Sequence, residues 1–294
     1  ACCVQGMHPE VFVSEPGKEL VFCVQEPLQM VPFNSWLTYN PFACLARGLY
    51  AISGETISPE WACGFDPIMR NDVELIDDRL TCPSSIGHHF PTILDNLRAD
   101  PYPLLPQNFL LPSGGHKPGI RADAICFSAT HDKLHMSVYI SWADLTRVPI
   151  LYTQLAMLLD VAAHSKQMRV GVMNIHFVSV CCLETVQARH KASSGQDPSL
   201  RLCTNDFPAH EFPDVNVVEE VRMVVGNDKP PMGLKWTFLR KVAMPMLQAH
   251  GMLQSDDAGR FDKAIRHMQS TMPANNEWLR AGVRWVNEQR NGTE

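Results

Sequence analysis

The chain from Lys133 to Arg189 alternates, then turns helical, then becomes apolar again, and few folds accommodate that order. Leu134, Met136, Val138 and Ile140 alternate with His135, Ser137, Tyr139 and Ser141, the period-2 signature of a half-buried strand. In the run that follows, Pro149 falls where a first helical turn tolerates it, because that N–H has no intrahelical acceptor anyway. Leu151, Leu155, Leu158, Leu159 and Ala162 then recur at helical spacing, which predicts a largely buried helix. After a short polar turn, V-G-V-M-N-I-H-F-V-S-V-C-C-L reads as a second apolar strand. Its apolar residues occupy positions of both parities, so both of its faces need cover.

Around this unit the chain mixes strands and helices without a strict βαβ alternation, which predicts an α+β fold, and 294 residues can bury a large core as one big domain or two small ones. E-V-F-V and L-V-F-C-V, split by S-E-P-G-K, read as an early strand pair. Asn40 can cap a helix with Pro41 at its first position, and Leu45, Leu49 and Ile52 form the apolar stripe that Gly54 ends. Residues 55–85 read as irregular, Phe90 to Leu97 as a short helix, and the proline-rich stretch from 101 to 119 as a long loop. Beyond a polar segment at 190–210 and a strand at 215–225, three helices form a C-terminal extension over about 234–290. Pro245 is expected to bend the last turn of the first of them.

Composition removes several classes. Net charge is −6, and Lys and Arg are scattered, so no basic surface for nucleic acid is available. No run of apolar residues is long enough to span a bilayer, and A-C-C-V-Q-G-M-H-P-E lacks the charged and apolar regions of a secretion signal. The ten cysteines include no C-x-x-C, which argues against a zinc ribbon or a dithiol redox motif. Buried free thiols in a reducing, cytoplasmic setting are the expectation. His88, His89, His116, His131 and His176 show no i,i+4 metal spacing, so no metal site is expected. S-G-G-H-K-P-G at 113–119 is Gly-rich but lacks the G-K-S/T ending of a phosphate loop.

His131-Asp132-Lys133-Leu134, Tyr139, Asp144, Pro149 and Val170-Gly171 fall in the order of a D-G-K-L-x-x-x-x-Y-x-R-S-x-D strand, a G-x-P-F-N helix and a V-G strand. In that order they resemble the thymidylate synthase superfamily, which includes the pyrimidine nucleotide hydroxymethylases. N-P-F-A-C-L-A-R-G-L-Y-A-I-S-G upstream is similar to the N-P-F helix of its divergent, phage-type members, and N-E-W-L-R-A-G-V-R-W-V-N-E-Q-R downstream to their tryptophan-containing C-terminal helix. The resemblance implies a single domain over 1–294, a large mixed sheet packed by helices, a homodimer formed through the sheet face, a nucleotide or nucleoside ligand, and folate as a cofactor by family likeness alone.

The chemistry of that family does not carry over. Its nucleophilic cysteine falls at Arg121, whose guanidinium stays protonated and has no lone pair with which to attack a pyrimidine ring. Cys126, an odd number of residues further on, is expected on the opposite strand face, with burial opposing its ionisation. Ser141-Trp142-Ala143-Asp144 replaces R-S-x-D, Asp100-Pro101 is followed by no arginine pair, and Leu151 stands where the family reads the base with asparagine. Arg47, Arg121 and Arg147 are the cations left to meet a phosphate. Arg121 and Asp123 share a strand parity, which fits either an internal ion pair or an anion contact.

No residue is therefore assigned a catalytic role. Arg121, Ser141, Trp142, Asp144 and His176, with Tyr139 or Tyr152 at the wall, are the candidates for a ligand site at the former active centre. One cation, a carboxylate, a hydroxyl and flat aromatic faces suit a planar, weakly charged ligand better than a dianion. The expectation is a protein related to pyrimidine nucleotide metabolism without standard methyl or hydroxymethyl transfer. The alternative is a non-catalytic binding, scaffolding or structural protein that reuses the fold.

Overall fold

Period-2 and helical patterns alike become elements in the computed structural model, which describes residues 20–25, 27–28, 40–53, 74–76, 79–81, 85–99, 106–110, 122–141, 143–144, 148–178, 180–181 and 238–293. These fall into two compact units, one within 1–38 and 84–202 and the other within 39–83 and 203–294. The architecture is mixed α and β, so the coarse class agrees with the sequence reading. The closing helices and the segment around 40–53 belong to the same unit.

The first unit is built on a five-stranded mixed sheet of order β1-β8-β6-β5-β4. Its strands are β1 (Leu20–Gln25), β4 (Gln107–Leu110), β5 (Ala124–Thr130), β6 (Lys133–Ile140) and β8 (Arg169–Phe177). β5 and β6 form a hairpin, with Thr130 opposite Lys133 and His131 taking the left-handed φ of 53° at the turn. β6 and β8 are parallel and need a crossover, supplied by α3 (Val148–Ser165). A short parallel pair, β7 (Ala143–Asp144) with β9 (Val180–Cys181), follows the ends of those two strands. Asp132 at the hairpin turn ion-pairs with Arg169, and its carbonyl accepts the Arg169 N–H at 2.7 Å, tying the turn to the start of β8.

Alternation divides the sheet into two faces. Ile125 and Phe127, Leu134, Met136, Val138 and Ile140, and Met173, Ile175 and Phe177 are buried on the face that α3 covers. α3 is buried on nearly every side, as an apolar helix with no polar stripe must be, and α2 (Ser85–Ala99) packs against it. Tyr152 on α3 donates to the Pro27 carbonyl at 2.8 Å. It therefore lies on the core side of the sheet, whereas Tyr139 lies on the other, so the two tyrosines do not share a wall.

Three local expectations are revised. β4 lies inside the stretch read as loop, with Pro106 just ahead of a ladder that runs from Gln107 opposite Phe127 to Leu110 opposite Ala124. α2 starts at Ser85 and carries Pro91 in its second turn, so the helix is longer than the proline suggests. β2 (Glu74–Ile76) and β3 (Arg79–Thr81) pair as a small hairpin where the sequence looks irregular. The strands expected at 10–13 and 215–225 lie outside the described residues.

The second unit contains α1 (Pro41–Ser53), α4 (Met244–Leu253), α5 (Arg260–Thr271) and α6 (Glu277–Thr293). Asn40 caps α1 as expected: its Oδ1 accepts the Phe42 and Ala43 N–H groups at 3.0 and 3.1 Å. Asn40 is 5% exposed, so Asn40→Ala leaves two N–H groups without water to replace the lost oxygen. The expected cost is about 1–2 kcal/mol, read as a lower denaturation midpoint, with Asn40→Asp close to native. Pro245 bends the chain ahead of α4, not at its end. With no N–H at Pro245, the helix enters through a π turn over Leu239–Ala243 and then continues to Leu253.

Candidate functional site

The sheet face opposite α3 carries the residues that the sequence marks as chemical. Cross-strand pairing sets them in rows. One row runs Asn108, Cys126, Ser137, Asn174, Cys23 across all five strands. The next runs Leu110, Ala124, Tyr139, His176, Val21. Neither row contains Asp, Glu, Lys or Arg. A sheet face left to water normally carries charge on such positions, and these two rows carry none.

Exposure sharpens the point. Among the described residues, the large hydrophobic side chains most open to solvent are Leu110 at 82%, Val178 at 59%, Val21 at 46% and Tyr139 at 44%. Leu110, Tyr139 and Val21 share one row, and Val178 continues the parity of His176 just past the end of β8. Tyr139 and His176 stack on one another, with ring centres 4.6 Å apart and planes within 15°. Along the described strands of this face, charge returns at the hairpin end, at Lys133 and Arg169.

Of the candidate ligand residues, Tyr139, Ser141 and His176 come together at the carboxyl ends of the parallel strands. Asp123 joins them: its carboxylate accepts the Ser141 N–H, and its own N–H donates to the Tyr139 carbonyl at 2.8 Å. Sequence parity offered Asp123 to Arg121, and its bond to a backbone N–H eighteen residues away had no local signature. The backbone of Asp144 pairs with Cys181 in the short β7–β9 ladder. Arg121 and Trp142 lie outside the described residues, as do Arg147 and His116. Arg47 is buried within α1.

Cys126 is half-buried on the rows just described, between Asn108 and Ser137, and its Sγ lies 3.9 Å from the Phe127 carbonyl. Burial pushes its thiol pKa up, which disfavours the thiolate a nucleophile needs. Cys23, Cys44 and Cys126 are free thiols. No group of three His, Cys, Asp or Glu side chains among the described residues could hold a metal ion. Among those residues no helix is long and apolar enough to cross a membrane.

No protein-family model and no curated protein matches the chain.

Further into the same face, β8 carries one residue more than β6. Leu134 pairs with Val170 and Met136 with Met173, so a bulge lies between them. The bulge frees the Val172 N–H, and His135 Nδ1 accepts it at 3.0 Å. Gly171 completes the arrangement, because a Cβ there would come within 2.6 Å of His135 Nδ1 and 2.7 Å of the Leu134 carbonyl oxygen.

Proposed function

We propose that this protein is a catalytically silent relative of the thymidylate synthases, working as a homodimer paired through the sheet face that carries the two uncharged rows. The observation that carries the reading is that face, with two uncharged rows and four exposed hydrophobic side chains at one end. The five strands hold 6, 4, 7, 8 and 9 residues, and at about 3.3 Å per residue and about 4.8 Å between strands they cover roughly 540 Å². Two such faces bury roughly 1,100 Å², just above the size a specific pair of proteins has to clear. β6 is the middle strand of the five, so a two-fold axis over it matches each row to its own copy.

Two further observations support the family reading. The hairpin, crossover helix and parallel strand occur in the order that the resemblance implies. Phe42 of the N-P-F segment and Trp285 of the C-terminal segment lie 5.2 Å apart, edge to face, so the two outlying stretches of likeness meet in one aromatic cluster. Loss of the standard reaction rests on Arg121 at the nucleophile position and on the disfavoured Cys126 thiolate. A second reading has its own observation. The outward face of Tyr139 is a platform on which a planar nucleoside could stack, with Asp123 close by.

Light scattering should give twice the 33.0 kDa chain mass at micromolar concentration. Tyr139→Glu, which sets a carboxylate on the middle strand among the exposed hydrophobic side chains, should shift the protein to monomer while helical content is kept. A native monomer would end the proposal. With deoxyuridine or deoxycytidine monophosphate and methylene-tetrahydrofolate, no methylated or hydroxymethylated product is expected, because attack by a thiolate is the activating step. Turnover that vanishes in Cys126→Ser would overturn that half of the reading. Calorimetry against nucleosides then separates a bare interface from a stacking platform.

A further inference from the structure

We propose that His135 is an acid-sensitive latch on the sheet: its neutral imidazole holds the β6–β8 bulge closed, and protonation releases it. A bulge leaves a backbone N–H outside the ladder, and a buried N–H without an acceptor is costly. His135 Nδ1 is the acceptor for that N–H at Val172. A ring nitrogen that accepts cannot carry a proton, so this contact selects the tautomer with hydrogen on Nε2. Nε2 is itself sealed from solvent with no hydrogen-bond partner among the described residues. The ring therefore has no second contact that would reward a positive charge.

Its surroundings point the same way. Ser128 faces it from β5, Gly171 and Val172 from β8, and Ser137 and Lys133 flank it on its own strand. Lys133 is a like charge. The nearest acid along the chain, Asp132, is engaged with Arg169. Burial first, and Lys133 second, hold the imidazole below its ordinary value of 6.5. A group whose folded pKa is depressed contributes stability above its unfolded value and loses it as pH falls, so the latch is closed at neutral pH and opens in acid. On protonation Nδ1–H would meet Val172 N–H donor to donor, and the close approach at Gly171 leaves no slack for the ring to turn. Weakening would be confined to the bulge, while Met173 to Phe177 remain laddered to β6.

The test reads amide hydrogen exchange at Val172 relative to Ile175 on the same strand, in the full chain, at neutral pH and at roughly pH 4.5. Native protein should lose Val172 protection by about tenfold or more in acid, beyond any change at Ile175. His135→Asn places an oxygen near the position of Nδ1 and cannot titrate there, so it should keep the protection and lose the acid response. His135→Phe should lack the protection at both pH values. The latch is disproved if Val172 in His135→Phe exchanges as slowly as in native protein, or if His135→Asn keeps the native acid response. Should His135→Phe fail to fold, the comparison of native protein with His135→Asn decides alone. A ring-nitrogen NMR spectrum showing hydrogen on Nδ1 at neutral pH would also overturn it.

Discussion

Gly171→Ala is expected to destabilise the sheet unit by about 3 kcal/mol, the upper part of the range for overpacking. The added methyl would sit 2.7 Å from the Leu134 carbonyl oxygen, which is backbone and cannot swing aside, and 2.6 Å from a ring nitrogen already committed to Val172. Either the bulge widens or the His135 contact breaks. Urea denaturation followed by tryptophan fluorescence and circular dichroism reads the change. Gly251→Ala in α4 is the control, because a Cβ there meets nothing within 4 Å. At that helical position alanine should stabilise by about 0.5–1 kcal/mol. If Gly171→Ala costs no more than about 0.5 kcal/mol, the close approach described at the bulge is wrong.

Mild acid should weaken the helical unit through a different histidine. His250 is half-buried as a residue, but its Nδ1 is sealed from solvent, and its ring packs against Phe42 at 5.3 Å. Burial drives its pKa from 6.5 down to about 4. Above 6.5 both folded and unfolded chains hold it neutral, and stability is at its full value. Between 6.5 and about 4 only the unfolded chain takes the proton, so stability falls with falling pH, and below about 4 the loss is complete. At roughly 1.4 kcal/mol per pH unit the loss approaches about 3 kcal/mol as an upper figure. His250→Phe keeps the aromatic contact and removes the titration. Its denaturation midpoint, followed by Trp278 and Trp285 fluorescence, should vary less over that pH range than the native one. Equal slopes in the two proteins would reject the assignment to His250.

Much of the fold was legible because the signals were local and strong. The alternation from Leu134 to Ile140 survives as buried and open positions of one strand. Asn40 with Pro41 foretold a cap that the hydrogen bonds reproduce. What escaped depends on pairing across distant residues. β4 is four residues long amid prolines and is a strand only because β5 offers it a ladder. The bulge at Gly171 was invisible, since an extra residue in β8 exists only relative to β6. V-G in the sequence carries a family resemblance, whereas its physical meaning, room for the His135 ring, lies in the packing. The candidate site was partly legible for a related reason. Parity put Tyr139, Ser141 and His176 on one face, but nothing in the order of residues could show that its rows were free of charge across five strands.

The helical unit has a consequence for how the chain is made. α1 is buried from Pro41 to Leu49 without a polar stripe, yet the α4 and α6 surfaces it meets follow it by about two hundred residues. About 230 residues separate Ser53 from Trp285. At roughly 5–20 residues per second, a ribosome takes roughly 12–45 s to bring the second to the first. During that interval the rest of the sheet unit, residues 84–202, is synthesised and free to fold, while an apolar helix waits for its partners. Aggregation or chaperone capture of nascent chains should therefore centre on α1, and a chain stalled just past Cys181 should carry a finished sheet and a sticky amino-terminal helix.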